Sequence, residues 1–173
     1  DASDDIAVLK LSSRLYTGQG LRRVYYSAYS PIPHASSQLP PQAAPLMREH
    51  RLYQADWLMR FYGFTPDEIT VEGVDLDLDI DPKLAWALRN RADFPVDLNT
   101  AERETMLRVP GLGVRSVDRM IDIRRYKQLT LEDVKRLTRR LDKLKPFIVT
   151  ADWRPGALTD KADLRARLAP PTQ

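Results

Sequence analysis

VDLNTAERETMLRVPGLGVRSVDRMIDIRRY, residues 96–126, is the stretch on which the fold of this chain turns. Asn99 followed three residues later by Glu102 has the form of a capping box, which predicts a first helix running to about Arg108. Val109-Pro110-Gly111-Leu112-Gly113 breaks that helix. Its two glycines permit positive φ and close backbone approach, and Leu112 between them is placed to plug the junction of the flanking helices. A second helix is predicted from about Val114 to Tyr126, with Val117, Met120, Ile121 and Arg124 at helical spacing. The first amides of a helix lack internal partners and carry the positive end of its dipole. A tight turn that delivers Gly111, Gly113 and the next amides to the surface is therefore expected to hold an anion. If the anion is a DNA phosphate, no base edge is read, and binding is sequence-independent and weakened by salt.

The run Val109 to Val117 resembles the hairpin of the helix-hairpin-helix DNA-binding motif, written LPGIGxKTA, with Arg115 at the basic position and Ser116 at the small hydroxyl position. Val117 stands where that motif has a smaller alanine. The resemblance implies that Gly111, Leu112, Gly113, Val114 and Arg115 grip a phosphate, that Ser116 adds a hydroxyl contact, and that Arg119, Arg124, Arg125 and Lys127 track the neighbouring backbone. It also implies a monovalent cation held by the backbone carbonyls of Leu107, Val109 and Leu112.

Outward from this stretch, 173 residues with 43% apolar content are enough for a core. No run approaches the roughly 20 apolar residues that span a bilayer, and there is no signal-peptide pattern, so a cytoplasmic protein without membrane contact is expected. Without cysteine the chain has no disulfide, zinc-thiolate or iron–sulfur ligand of its own, and its two histidines are isolated. Net charge is +3, yet residues 101–146 hold 13 Lys/Arg against 7 Asp/Glu. The basic excess sits on the hairpin region, as a phosphate-binding surface requires.

The chain begins with Asp1, not Met, and is expected to be a fragment or processed product. Ser3, Asp4 and Asp5 predict a helix start, with Gly18 and Gly20 at its end. Leu21 to Tyr29 reads as a strand, and residues 31–45, with five prolines, as an irregular connection that includes a loop histidine, His34. A helix over Leu46–Tyr62 is predicted to bury Leu46, Tyr53, Trp57, Leu58, Phe61 and Tyr62, turning Arg48, His50, Arg51 and Arg60 outward. Thr65-Pro66-Asp67-Glu68 forms a capping box with proline at N1. Residues 67–81 are an acidic run, read as a linker. Alternation over Val74–Ile80 places its acids on one side, and no ligand spacing marks a metal site there.

Asp81-Pro82 starts a helix to about Asn90, and Thr130 with Asp133 starts another whose Val134, Leu137, Leu141 and Leu144 share a face. Lys135, Arg136, Arg139, Arg140 and Lys143 form the other side of that helix. Lys145 to Val149 reads as extended, and the tail beyond Arg154 as loose.

Three blocks, Leu21–Pro33, Arg48–Leu58 and Asp81–Arg89 leading into the hairpin, together resemble the C-terminal part of radical-SAM proteins of DNA modification or repair, whose genes accompany a uracil-DNA-glycosylase-like protein. The resemblance implies a 4Fe-4S cluster and S-adenosylmethionine held upstream of Asp1, with no cofactor and no catalytic residue in this chain. It implies DNA as partner, with the glycosylase-like protein as a second one. The fold class expected is mainly α: a helical C-terminal region with a helix-hairpin-helix module, preceded by a short α/β remnant of a barrel. The expected divisions are a barrel remnant at 1–35, a helical connector at 36–95, the DNA-binding module at 96–150 and a tail at 151–173. Two other classes compete. In one, the Val134–Leu144 face docks a protein and the hairpin is only a turn. In the other, paired carboxylates such as Asp77 and Asp79 do acid/base work, although no nucleophile or phosphate loop accompanies them.

Overall fold

The computed structural model describes residues 4–27, 45–156 and 164–169. His34, four of the five prolines of 31–45, the strand end at Ala28 and Tyr29, and Pro170 and Pro171 lie outside them. The chain is mainly helical and divides into two compact units, Asp1–Pro82 and Lys83–Gln173.

In the first unit, α1 (Asp5–Gln19) starts at Asp4, whose carboxylate accepts the Ala7 amide at 3.0 Å, and stops at Gly20 in the left-handed region. It packs on α2 (Leu46–Phe61) and on the short α3 (Pro66–Ile69), which carries the predicted Thr65/Glu68 capping box.

Two expectations fail here. Residues 21–27 form no strand: the Tyr26 amide donates to Tyr53 Oη at 2.9 Å, and Tyr53 Oη donates back to the Tyr26 carbonyl at 3.0 Å, so a side chain closes the backbone groups that a neighbouring strand would. The α2 face is also rotated. Leu46, Trp57 and Phe61 are exposed, whereas Arg51, Leu52, Ala55, Asp56 and Leu58 are buried. Arg48 and Arg60 turn inward to carboxylates that are fully buried, Asp5 at 2.8 Å and Asp56 at 2.9 Å. Arg51 donates to the Leu78 carbonyl at 3.0 Å and to Gln54 at 2.7 Å.

The acidic run belongs to this unit. Asp5 accepts the Leu76 amide and Asp4 the Gly73 amide, while Asp77 accepts the Asp79 and Ile80 amides within its own turn. The predicted alternation is incomplete, because Leu76 and Ile80 are buried but Val74 and Leu78 are exposed.

The second unit begins with α4 (Pro82–Arg89) and a 3₁₀ turn at Arg91–Asp93. Strand β1 (Val96–Asp97) pairs in parallel with β2 (Ile148–Val149), Val96 opposite Ile148. This pairing ties the two ends of the hairpin region together. Between the strands lie α5 (Arg103–Leu107), α6 (Val114–Arg124), α7 (Leu131–Leu137) and α8 (Leu141–Leu144), and α9 (Leu164–Leu168) follows. Phe147, Met106, Met120, Leu129, Val134, Leu144 and Ile148 are fully buried, and Phe94 meets Phe147 edge-on with ring centroids 5.2 Å apart.

The predicted start of α5 moves by three residues. Glu102, not Asn99, is its N-cap, because the Asn99 side chain is engaged elsewhere: its amide donates to the Leu129 carbonyl at 3.1 Å and its oxygen accepts the Leu129 amide at 2.7 Å. The single helix expected over 130–144 is two helices. Thr130 and Asp133 cap α7 as predicted, but Thr138 is extended and its hydroxyl accepts the Arg140 amide, which ends one helix and starts the next.

Candidate nucleic-acid interface

The hairpin between α5 and α6 is a tight turn in which the Leu112 amide donates to the Val109 carbonyl at 3.1 Å. Proline followed by glycine at the two central positions is the residue pair of a type II turn, which needs positive φ at the second. Gly111 supplies it with φ +87°. Gly113 does not share that conformation: it is the N-cap of α6 at φ −89°, ψ 163°, extended backbone open to any residue. Leu112 is buried, as its place between the glycines predicts. A Cβ built on Gly111 would stand 3.3 Å from Cγ of Leu144, so α8 closes directly on the turn.

Beyond the turn, the amides of Val114, Arg115 and Ser116 have no acceptor among the described residues. They form the open N-terminal end of an eleven-residue helix. Arg115 and Arg119 lie one helical turn apart, both exposed and both without a hydrogen-bond or ion-pair partner among the described residues.

The other residues expected at this surface divide by what they touch. Ser116 Oγ donates to the Leu137 carbonyl at 2.8 Å, which docks the start of α6 against the end of α7. Arg124 is turned inward, with one guanidinium nitrogen on the Ala101 carbonyl at 2.6 Å and the Leu98 carbonyl at 3.1 Å. Lys127 is 2.7 Å from Asp133, whose carboxyl it and the Thr130 amide hold down at about 2. Arg125 stays exposed beside Asp122 at 3.8 Å. It lies roughly 15 Å along α6 from the open amides, at 1.5 Å per residue. Arg103 and Asp118, 2.7 Å apart on the surface, shift each other, the guanidinium up and the carboxyl down.

Two groups near the turn escape a reading by sequence alone. Ser116 bonds Leu137 and Gly111 faces Leu144, and the α7–α8 break between those two contact points holds the exposed Arg139 and Arg140. The 130–144 basic pattern places these two on the outside of a straight helix, whereas the structure sets them in the break between α7 and α8. The second group is Lys83, whose ammonium donates to the Leu112 carbonyl at 2.6 Å and is buried. Neither periodicity nor spacing marks a lysine in the first turn of α4 as a partner of a residue 29 positions away.

Of the Val134–Leu144 face, Val134 and Leu144 are fully buried in the unit, and Leu137 and Leu141 are half-buried. No helix among the described residues is long and apolar enough to cross a membrane, and no group of His, Asp and Glu among them could hold a metal ion. The chain matches no known protein family, no curated protein and no solved structure.

Proposed function

We propose that residues 96–150 bind DNA without sequence preference, by seating a backbone phosphate on the turn after Gly111 and the open amides of Val114, Arg115 and Ser116. The observation that carries this reading is the coincidence of three unsatisfied helix amides with two unpaired arginines, Arg115 and Arg119, on the same helix. Helix dipole, amides and guanidinium charge then favour the same anion. Arg139 and Arg140 extend the basic surface to the next phosphate, and Arg125 lies at its margin. Arg124, Lys127 and the Ser116 hydroxyl serve this surface indirectly, by fixing α6 in place.

The resemblance of the three sequence blocks supports a setting for this module. The chain is the DNA-binding part of a radical-SAM protein of DNA modification or repair. Its cluster, S-adenosylmethionine and catalysis belong to an upstream segment.

Fluorescence-anisotropy titration against a short duplex across a salt series tests the reading. Nonspecific binding of about 10⁻⁴ to 10⁻⁶ M at physiological salt is expected. An Arg115→Ala, Arg119→Ala variant should lose affinity and lower the log–log salt slope by about 2, near 0.9 for each phosphate contact removed. Absence of salt-dependent binding by the intact chain at low salt overturns the proposal.

A further inference from the structure

The carbonyls of Leu107, Val109 and Leu112 are the oxygens expected to hold a monovalent cation, but their surroundings do not fit a free ion. The Leu112 oxygen already accepts the Lys83 ammonium at 2.6 Å, and the Val109 oxygen accepts the Leu112 amide that closes the turn. Lys83 is only 7% exposed, and its neighbours Leu84, Ala85 and Ala87 are buried as well. A buried ammonium is stable only where oxygens receive its protons, and a second cation on the same carbonyl would meet it at close range in a medium that screens poorly.

From this we infer that Lys83 is the built-in cation of the hairpin. Its ammonium takes the position of a bound alkali ion, holds the Leu112 carbonyl, and puts a fixed positive charge beneath the turn. The shape of the turn is then independent of which alkali ion is in solution. So is its hold on an anion, an extension that rests on the phosphate-binding reading, whereas the contact between Lys83 and Leu112 does not.

The test uses the whole chain and begins without DNA. Thermal unfolding is followed in sodium, potassium and tetramethylammonium chloride at one ionic strength, for the wild type and for Lys83→Met, which keeps an unbranched apolar stem as far as Cε and removes the ammonium group. The wild-type midpoint is expected to be the same in all three salts. The midpoint of Lys83→Met is expected to be lower and to rise saturably with sodium or potassium relative to tetramethylammonium, because the Leu112 oxygen is released. A purely structural loss would lower the midpoint equally in every salt, which overturns the inference. A wild-type midpoint that rises saturably with one alkali ion also overturns it.

Should Lys83→Met fail to fold, nitrogen-15 NMR of the wild type decides. The inference requires a slowly exchanging lysine ammonium signal coupled across a hydrogen bond to the Leu112 carbonyl, and its absence refutes it. DNA titrations in the same salts separate the two readings. Salt-independent midpoints and a protected ammonium without DNA binding retain the Lys83 assignment and discard the phosphate grip. DNA binding with a mobile Lys83 does the reverse.

Discussion

Replacing Gly111 by alanine isolates how the hairpin is held, because two independent costs meet at one added methyl. At φ +87° an L-residue is strained by about 1–2 kcal/mol. The methyl also lands 3.3 Å and 3.4 Å from two carbons of Leu144, a fully buried side chain that must yield. Crowding of this kind adds about 1 kcal/mol or more, for a total near 2–4 kcal/mol. In a unit of roughly 90 residues each kcal/mol lowers the midpoint by about 4–8 °C, so Gly111→Ala should lower it by about 10 °C or more. Circular-dichroism melting of the whole chain reads that shift.

A double-mutant cycle with Leu144→Ala then separates the two costs. Leu144→Ala removes the obstructing carbons at its own cavity cost of about 2–5 kcal/mol, so the double variant should be more stable than the sum of the singles by about 1 kcal/mol. Gly113→Ala is the control. Its backbone is ordinary extended conformation, and exchanging glycine for alanine at an N-cap costs below about 1 kcal/mol. If Gly111→Ala melts with the wild type, or if it is additive with Leu144→Ala, the packing of α8 on the turn is not what holds the hairpin. The asymmetry also bears on DNA titrations, since a loss of binding in Gly111→Ala reports a disturbed fold, whereas changes at Arg115 and Arg119 report the surface itself.

Asp56 is fully buried and accepts hydrogen bonds from Tyr16, Tyr26 and Arg60, so Asp56→Asn should cost about 2–3 kcal/mol, read by chemical denaturation of the first unit. Burial, and after it the hydrogen bond to Asp56, push the Tyr16 phenol up to about 12, so Tyr16 supports the fold below pH 10 and withdraws that support between about 10 and 12. Tyrosinate absorbance should show its ionisation falling back toward 10 in Asp56→Asn. In the second unit Asp133 is held at about 2 by Lys127 and the Thr130 amide. Its contribution is complete above the unfolded value near 3.9 and is lost as pH falls toward about 2. Asp133→Asn should flatten that limb of the stability–pH curve, and an unchanged limb would show that the capping box does not depend on the charge.

Signals confined to a few consecutive residues were legible in the sequence. Asp4 and Gly20 bound α1, Thr65 with Glu68 and Thr130 with Asp133 form the boxes their spacing announces, and Pro110-Gly111 makes the turn that needs positive φ. The failures are residues whose polar side chains found distant partners. Asn99 clamps Leu129 instead of capping α5, Ser116 reaches Leu137, Arg124 reaches Ala101, and Lys83 reaches Leu112. Each has the composition of a cap or a phosphate contact, and periodicity carries no information about a partner 21 to 30 positions away.

Helix α2 shows why such partners also override the hydrophobic pattern. By apolar count alone, the face bearing Trp57 and Phe61 should be inside, yet they are 51% and 45% exposed. The face that wins carries Arg48, Leu52, Ala55 and Asp56. Ala55 is fully buried, small enough for a neighbouring element to approach closely, and the arginines on this side of α2 neutralise two carboxylates placed out of water, Asp5 and Asp56. Turning the helix to bury Trp57 and Phe61 would swing Arg48 away from Asp5 and part Asp56 from Tyr16 and Tyr26, and the uncompensated buried charge left at Asp5 costs about 3–5 kcal/mol, more than the roughly 1.5–3 kcal/mol from burying one large apolar side chain. That one carboxylate outweighs what remains to be buried of two half-exposed rings. Those rings still recover part of their burial by packing on each other at 4.4 Å, with the Arg60 guanidinium over both. The orientation of α2 is therefore set by residues that lie outside it in sequence, Asp5 in α1 and the tyrosines of α1 and of the segment after it, which no periodicity within residues 46–61 records.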